Sequence, residues 1–173
     1  MDNVASFSPN ASTSVSIETH SADETRQLGE RIGSIAQAGD IILLLGGFGA
    51  GKTTLVQGIA RGMGSDDVVT SPSFVIANEY QGRLPLYHID LYRIDEMDQT
   101  TLEALAEYFG SDGLCVVEWP QSVPSDLIED AIRIEMALSG ENDRRLSLLD
   151  GPPRLHSLFA DPAMGRTHRR ESA

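Results

Sequence analysis

Five consecutive aliphatic residues, Ile41-Ile42-Leu43-Leu44-Leu45, run without a break into Gly46-Gly47-Phe48-Gly49-Ala50-Gly51-Lys52-Thr53. A run this short and apolar at every position suits a strand covered on both faces, the strand type of a parallel sheet. Glycines at 46, 47, 49 and 51 permit positive φ and close backbone approach, so successive N–H groups can turn inward on one centre. Thr54 to Met63 then carries a one-face helical pattern closing near Gly62 or Gly64. Strand, glycine turn and helix in that order match G-x-x-x-x-G-K-[ST], the phosphate-binding loop pattern. The fold class that follows is α/β: three layers of the P-loop NTPase type, with a mostly parallel central sheet and a short antiparallel portion.

Lys52 is the sole lysine of 173 residues, and every other basic position is arginine or histidine. A solvated surface charge can be either residue, but a compact ammonium between phosphoryl groups is not readily replaced by arginine's larger planar fork. In the loop pattern Lys52 reaches the terminal phosphates and the Thr53 hydroxyl takes one Mg²⁺ position, while the next helix adds its unsatisfied N–H groups and the positive end of its dipole.

The formal net charge of −13 argues against autonomous binding to a nucleic-acid backbone, which needs clustered cations. The densest acidic stretch runs from Asp90 to Asp112 and reads either as a solvated face or as a docking surface for a basic protein. One cysteine, Cys115, leaves no intrachain disulfide and fits a reducing cytosol; within Leu114-Cys115-Val116-Val117 it reads as a core residue. No stretch approaches the roughly twenty apolar residues of a membrane span, and the N-terminus shows no secretory signal pattern.

Residues 1 to about 14, rich in Ser, Asn, Thr and Ala, read as a disordered extension. The folded domain spans 15–150, and 151–173, with Pro, Arg and His lacking periodicity, reads as a flexible tail. Within the domain, Ser14 to Glu18 is a short strand. Ser21-Ala22-Asp23-Glu24 opens a helix by a capping box, with Leu28, Ile32, Ile35 and Ala36 inward and Gly39 at its end. Phe74 to Tyr80 and Leu84 to Leu91 form a hairpin around Gln81-Gly82-Arg83. A helix over Asp98 to Phe109 turns Leu102, Leu105, Ala106 and Phe109 inward, Leu114 to Glu118 is a second buried strand, and 131–138 and 144–149 close the domain as an antiparallel pair.

A phosphate loop works with an acidic partner at the end of a neighbouring strand. Two candidates exist, Glu118 after Leu114-Cys115-Val116-Val117 and Asp90 after Leu86-Tyr87-His88-Ile89; either can also be a solvent-facing strand-end acid. Ser73, in Ser71-Pro72-Ser73-Phe74, lies where nucleotide hydrolases carry a γ-phosphate sensor, although Ser-Pro-Ser is also an ordinary turn. His88 reads as a general base, a nucleotide contact or a structural histidine, and Tyr92 and Arg93 as packing and surface residues. Arg144 and Arg145 on the closing hairpin are further candidates for nucleotide contact.

Taken together, Gly46 to Thr54, Ser71-Pro72-Ser73-Phe74, His88-Ile89-Asp90-Leu91-Tyr92-Arg93 and Val117-Glu118-Trp119-Pro120 resemble, in order and separation, the TsaE family of small bacterial ATPases in tRNA threonylcarbamoyladenosine biosynthesis. The resemblance covers roughly residues 15–150. It implies a cytoplasmic, Mg²⁺-dependent ATPase, slow alone, that supports threonylcarbamoyl installation on adenosine 37 of tRNAs reading codons that begin with A. It implies action through the threonylcarbamoyl-transfer complex with TsaD and TsaB subunits, contact with tRNA only through them, and no membrane. Position by position, it implies that Phe48, Gly49, Ala50, Gly51, Lys52, Thr53 and Thr54 hold ATP, with Lys52 and Asp90 catalytic. Thr53 and Glu118 are then Mg²⁺ ligands, Ser73 a switch hydroxyl, and Trp119 a neighbour of the nucleotide. Gly47 stands where that family commonly carries an acid, and Ser73 where it carries threonine.

The main rival is a small-molecule P-loop kinase, whose arginine-bearing lid finds poor material in residues 84–132, where Arg93 is the one Lys or Arg. A GTPase would resemble its class by an Asn-Lys-x-Asp guanine reader, which a chain without a second lysine lacks. A non-enzymatic nucleotide-sensing adaptor is a third possibility.

Overall fold

A computed structural model of the chain describes residues 14–72, 77–94, 96–164 and 167–169. The N-terminal extension over 1–13, Ser73 and the start of the Phe74–Tyr80 strand lie outside the described residues.

The phosphate-loop unit forms as its pattern requires. Strand β2 is Ile41–Leu45, and helix α2 is Lys52–Gly62, starting two residues earlier than the periodicity places it because Lys52 and Thr53 already form its first turn. Before it come β1, Val15–Thr19, and α1, Ala22–Ile35. The Ser21 hydroxyl accepts from Glu24 N, and Glu24 in turn reaches back to His20 N, so orphan donors at the helix start are satisfied. At the other end Arg83 donates to the carbonyls of Gly33 and Ala36, capping α1 from a distant hairpin, while Gly39 (φ 83°) makes the turn into β2. That hairpin is β3, Ala77–Tyr80, and β4, Leu86–Asp90. Then follow α3, Gln99–Phe109, capped by Asp98, β5, Leu114–Glu118, and the antiparallel pair β6, Ile132–Leu138, and β7, Arg144–Asp150.

The described strands, with β8 at Thr167–Arg169, make one sheet in the order β3-β4-β5-β2-β6-β7-β1-β8. Its centre is parallel, β4-β5-β2-β6, and its flanks are antiparallel. The antiparallel part is larger than the short portion expected, because β1 and β8 extend the closing hairpin. One apolar cluster sits between the sheet and α1, α2 and a further helix, α4 (Pro153–Phe159), and a second between the opposite face and α3. These are the three layers. On α3, Leu105 alone is fully buried and Ala106 is exposed, so the inward face is narrower than its periodicity implies.

Helices α1 and α2 meet backbone to backbone. Added Cβ atoms would lie 2.4 Å from Leu55 O at Gly29, 2.2 Å from Ile59 O at Gly33, 2.1 Å from Arg26 O at Gly58 and 2.0 Å from Glu30 O at Gly62. Two glycines four residues apart on each helix leave no side chain between them, a device that brings helix axes unusually close.

The expectation of a flexible tail from Gly151 onward fails over helix α4, Pro153–Phe159. Proline at its first position is tolerated, since its missing N–H has no intrahelical partner anyway. Leu155 and Phe159, four residues apart, bury against the main cluster, and Arg154 Nη2 donates to both Asp40 oxygens at 2.6 and 2.7 Å. Composition masked these two apolar anchors among Pro, Arg and His.

Candidate functional site

At the carboxyl ends of β2, β4 and β5 the glycine turn, the β4 end and the β5 end enclose a cleft of about 740 Å³. This is where open parallel sheets place their ligand crevices. The turn is built as its residues dictate. Gly46, Gly49 and Gly51 have φ of 137°, 75° and 93°, and a Cβ at Gly46 would lie 2.2 Å from Met136 O. Gly51 caps α2 without a side chain, so the first-turn N–H groups of α2 keep no side-chain acceptor, the arrangement that receives anions.

Lys52 is buried, and its Nζ donates to Gly46 O at 2.8 Å and Gly47 O at 2.9 Å. The same ammonium lies 3.9 Å from the ring centre of Trp119, a cation–π contact. Burial pushes the Lys52 ammonium below its ordinary 10.5, against the opposing pull of Glu118 and Asp90. Trp119 reaches this position from a left-handed backbone (φ 57°), a conformation costing a non-glycine residue roughly 1–2 kcal/mol. Tyr92 packs on its indole at 4.9 Å between ring centres, and Phe48 lies 6.0 Å beyond Tyr92.

The two strand-end acids are register partners on adjacent parallel strands, Asp90 beside Glu118. Side-chain alternation puts His88, two residues before Asp90, on the same face. Glu118 Oε1 receives the Thr53 hydroxyl at 2.9 Å and His88 Nε2 at 2.8 Å. Asp90 is held differently, with Ser71 Oγ donating to Oδ2 at 2.6 Å and Tyr92 N to Oδ1 at 3.0 Å.

Phe48, Gly49, Ala50, Gly51, Lys52, Thr53, Thr54, Asp90, Glu118 and Trp119 therefore line one cleft, although they come from three separate stretches of chain. Ser73 lies outside the described residues, and Ser71 holds Asp90. Arg144 also lines the cleft, with Nη1 donating to the carbonyls of Asp143 and Glu141; Arg145 turns away to Glu18. Of the two arginines that the closing hairpin offered, Arg144 is the one that reaches the cleft. Ser71 and Tyr92 were not legible as site residues, since Ser71 differs from Ser73 by no local signal and Tyr92 reads as packing.

Residues 19–146 match the family model described as "Threonylcarbamoyl adenosine biosynthesis protein TsaE". The chain belongs to the TsaE family. Its place is thus in tRNA threonylcarbamoyladenosine biosynthesis. Among TsaE relatives, the protein of Bacillus subtilis is 37% identical over 130 residues, covering 75% of this chain and 81% of that one. The protein of Treponema pallidum is 33% identical over 130 residues, covering 75% and 96%. Both are described as tRNA threonylcarbamoyladenosine biosynthesis protein TsaE. The crystal structure of YdiB from Bacillus subtilis superposes with a TM-score of 0.69 at 32% identity, covering 86% of this chain and 94% of that one. Among the described residues, no helix is long and apolar enough to cross a membrane.

Proposed function

We propose that this TsaE-family chain is a cytoplasmic ATPase that binds ATP with Mg²⁺ in the cleft and hydrolyses it slowly by itself. In this reading it serves as an accessory of the threonylcarbamoyl-transfer proteins, a complex with TsaD and TsaB subunits, and meets tRNA only through them. The product is the threonylcarbamoyl group on adenosine 37 of tRNAs reading codons that begin with A. The observation that carries the reading is the meeting of one ammonium, one hydroxyl and two adjacent carboxylates at the open first turn of α2.

The residues present fit Mg²⁺, which takes hard oxygen ligands and keeps several waters. Thr53 and Glu118 would hold it, and when bound it neutralises charge on the phosphate oxygens. The chain's own groups do the rest. Amides of the glycine turn and α2 receive the phosphates, and Lys52 leaves its two carbonyl acceptors for the terminal phosphoryl oxygens. Asp90, fixed by Ser71 and Tyr92 N, orients the attacking water. Lys52, Arg93 and Arg144 are the Lys and Arg side chains lining the cleft, and Arg144 is tied to backbone carbonyls, so free protein turns over slowly.

The test compares wild type with Lys52→Ala and Glu118→Ala in ATP hydrolysis and in tRNA modification with purified transfer proteins. Both variants should lose at least about 100-fold in turnover, the scale of removing a charge-stabilising group. Full modification activity from both would end the reading. Phosphoryl transfer from ATP to a metabolite without partners would replace it with a kinase.

A further inference from the structure

Glu118 is 3% exposed, yet among the described residues both hydrogen bonds to its carboxylate fall on one oxygen. A carboxylate has no proton to give, so Thr53 Oγ1 and His88 Nε2 both donate to Oε1. Oε2 takes no hydrogen bond from the described residues. The two donors differ in kind. Thr53 belongs to the first turn of α2 and in the proposed reading is itself a Mg²⁺ ligand. His88 belongs to the sheet: it is wholly buried, lies on β4 paired across to β5, and faces neither the phosphate site nor the attacking water of the proposed hydrolysis. Its other nitrogen, Nδ1, has no partner among the described residues, so Glu118 is the one acceptor that fixes the ring there.

We infer that His88 is a positioning residue: from within β4, two residues before Asp90, it pins Oε1 of Glu118 and leaves Oε2 as the oxygen offered to the Mg²⁺ hydration shell. This rests on the proposed role of Glu118. Without the donor behind it, the Glu118 carboxylate can rotate about its terminal torsion, which is broad for this side chain. The cleft then keeps its charge but loses the direction of the acceptor.

A sidechain that only fills space would not affect metal dependence, and that separates the two possibilities. Trp119, the sole tryptophan, lies against Lys52 and reports nucleotide binding by its fluorescence. The experiment titrates Mg²⁺ into protein saturated with a non-hydrolysable ATP analogue, with analogue binding without metal measured separately. His88→Leu should raise the Mg²⁺ midpoint by about 10- to 100-fold, the range for removing a group that orients a metal ligand, and leave metal-free affinity within about 2-fold. His88→Gln, whose amide nitrogen can donate from near the Nε2 position, should recover most of the shift. His88→Asn is too short to reach Glu118 and should behave like the Leu variant, which keeps the test readable if Leu prevents folding. A wild-type midpoint in both the Leu and Asn variants, or a Gln variant as shifted as they are, overturns the assignment. So does an equal loss of metal-free binding. Wild-type nucleotide binding that ignores Mg²⁺ would remove the proposed function itself, and the role of His88 with it.

Discussion

Gly58→Ala sets two physical effects against each other, and the structure decides which wins. Alanine is the better helix former by about 1 kcal/mol, so propensity alone predicts a more stable protein. But the new Cβ would sit 2.1 Å from Arg26 O, where ordinary contact begins at 3.4 Å. The difference, about 1.3 Å, has to come from separating α1 and α2, since the obstacle is backbone rather than a flexible side-chain end. Forcing a methyl into a packed interface costs typically about 1–3 kcal/mol, and here the upper end applies because neighbouring contacts along both helices loosen together. The net expectation is a loss of about 1–2 kcal/mol, or about 2–8 °C in Tm for a chain of this size. Thermal and urea denaturation followed by far-UV circular dichroism measures it. Gly47→Ala is the control, with nothing within 4 Å of its added Cβ. Because α2 carries Lys52 and Thr53 at its start, nucleotide affinity should fall as well. A Gly58→Ala protein melting at or above wild type would refute the backbone contact.

Other perturbations test separate parts. Phe159→Ala, at a fully buried position of α4, should cost about 3–5 kcal/mol in denaturant unfolding while leaving nucleotide binding intact at low temperature, whereas a detachable tail would show no change. Asp98 is held below its ordinary 3.8 chiefly by the Thr101 N–H, so it binds its proton less readily folded than unfolded. Its contribution is therefore complete above about pH 3.8 and lost as pH falls through the lower folded value; Asp98→Ala should be less stable than wild type at neutral pH, with the gap narrowing as pH falls below 3.8. Burial pushes the Cys115 thiol up to about 12, so a disulfide reagent at pH 8 should label it only after unfolding. Arg144→Ala should weaken ATP binding several-fold, roughly the 1–2 kcal/mol of a charged hydrogen bond at a partly open site, measured by Trp119 fluorescence.

What could be read before the structure was mostly local. The run Ile41 to Leu45, the capping box at Ser21 and the glycine turn each specify conformation within a few residues, and β2, the start of α1 and the loop appear where expected. The pairing of carboxylates was half legible: Glu118 and Asp90 each end a strand, but their adjacency depends on β4 lying beside β5. Strand order has no local signature. Hence Arg83 on the α1 carbonyls was out of reach, since it acts on residues far away in sequence, and Arg144, which lines the cleft, could not be told from Arg145, which pairs with Glu18. Phe159 was missed for another reason: two apolar anchors in a seven-residue helix give too short a period to stand out. The glycines at 29, 33, 58 and 62 were visible, but only a facing helix gives their spacing meaning.

The position of β1 has a consequence for how the chain is made. Its sheet neighbours are β7 and β8, both far later in the sequence, so β1 has no partner until they are made. The cleft-forming elements β2, α2, β4 and β5 are complete well before then. A nascent chain would thus hold an assembled glycine turn while Val15 and Ile17, destined for the core, still wait uncovered. Closing that long loop makes the last pairing the slow one. Strands β1 and β8, which line no part of the cleft among the described residues, are then what seals the domain that presents it.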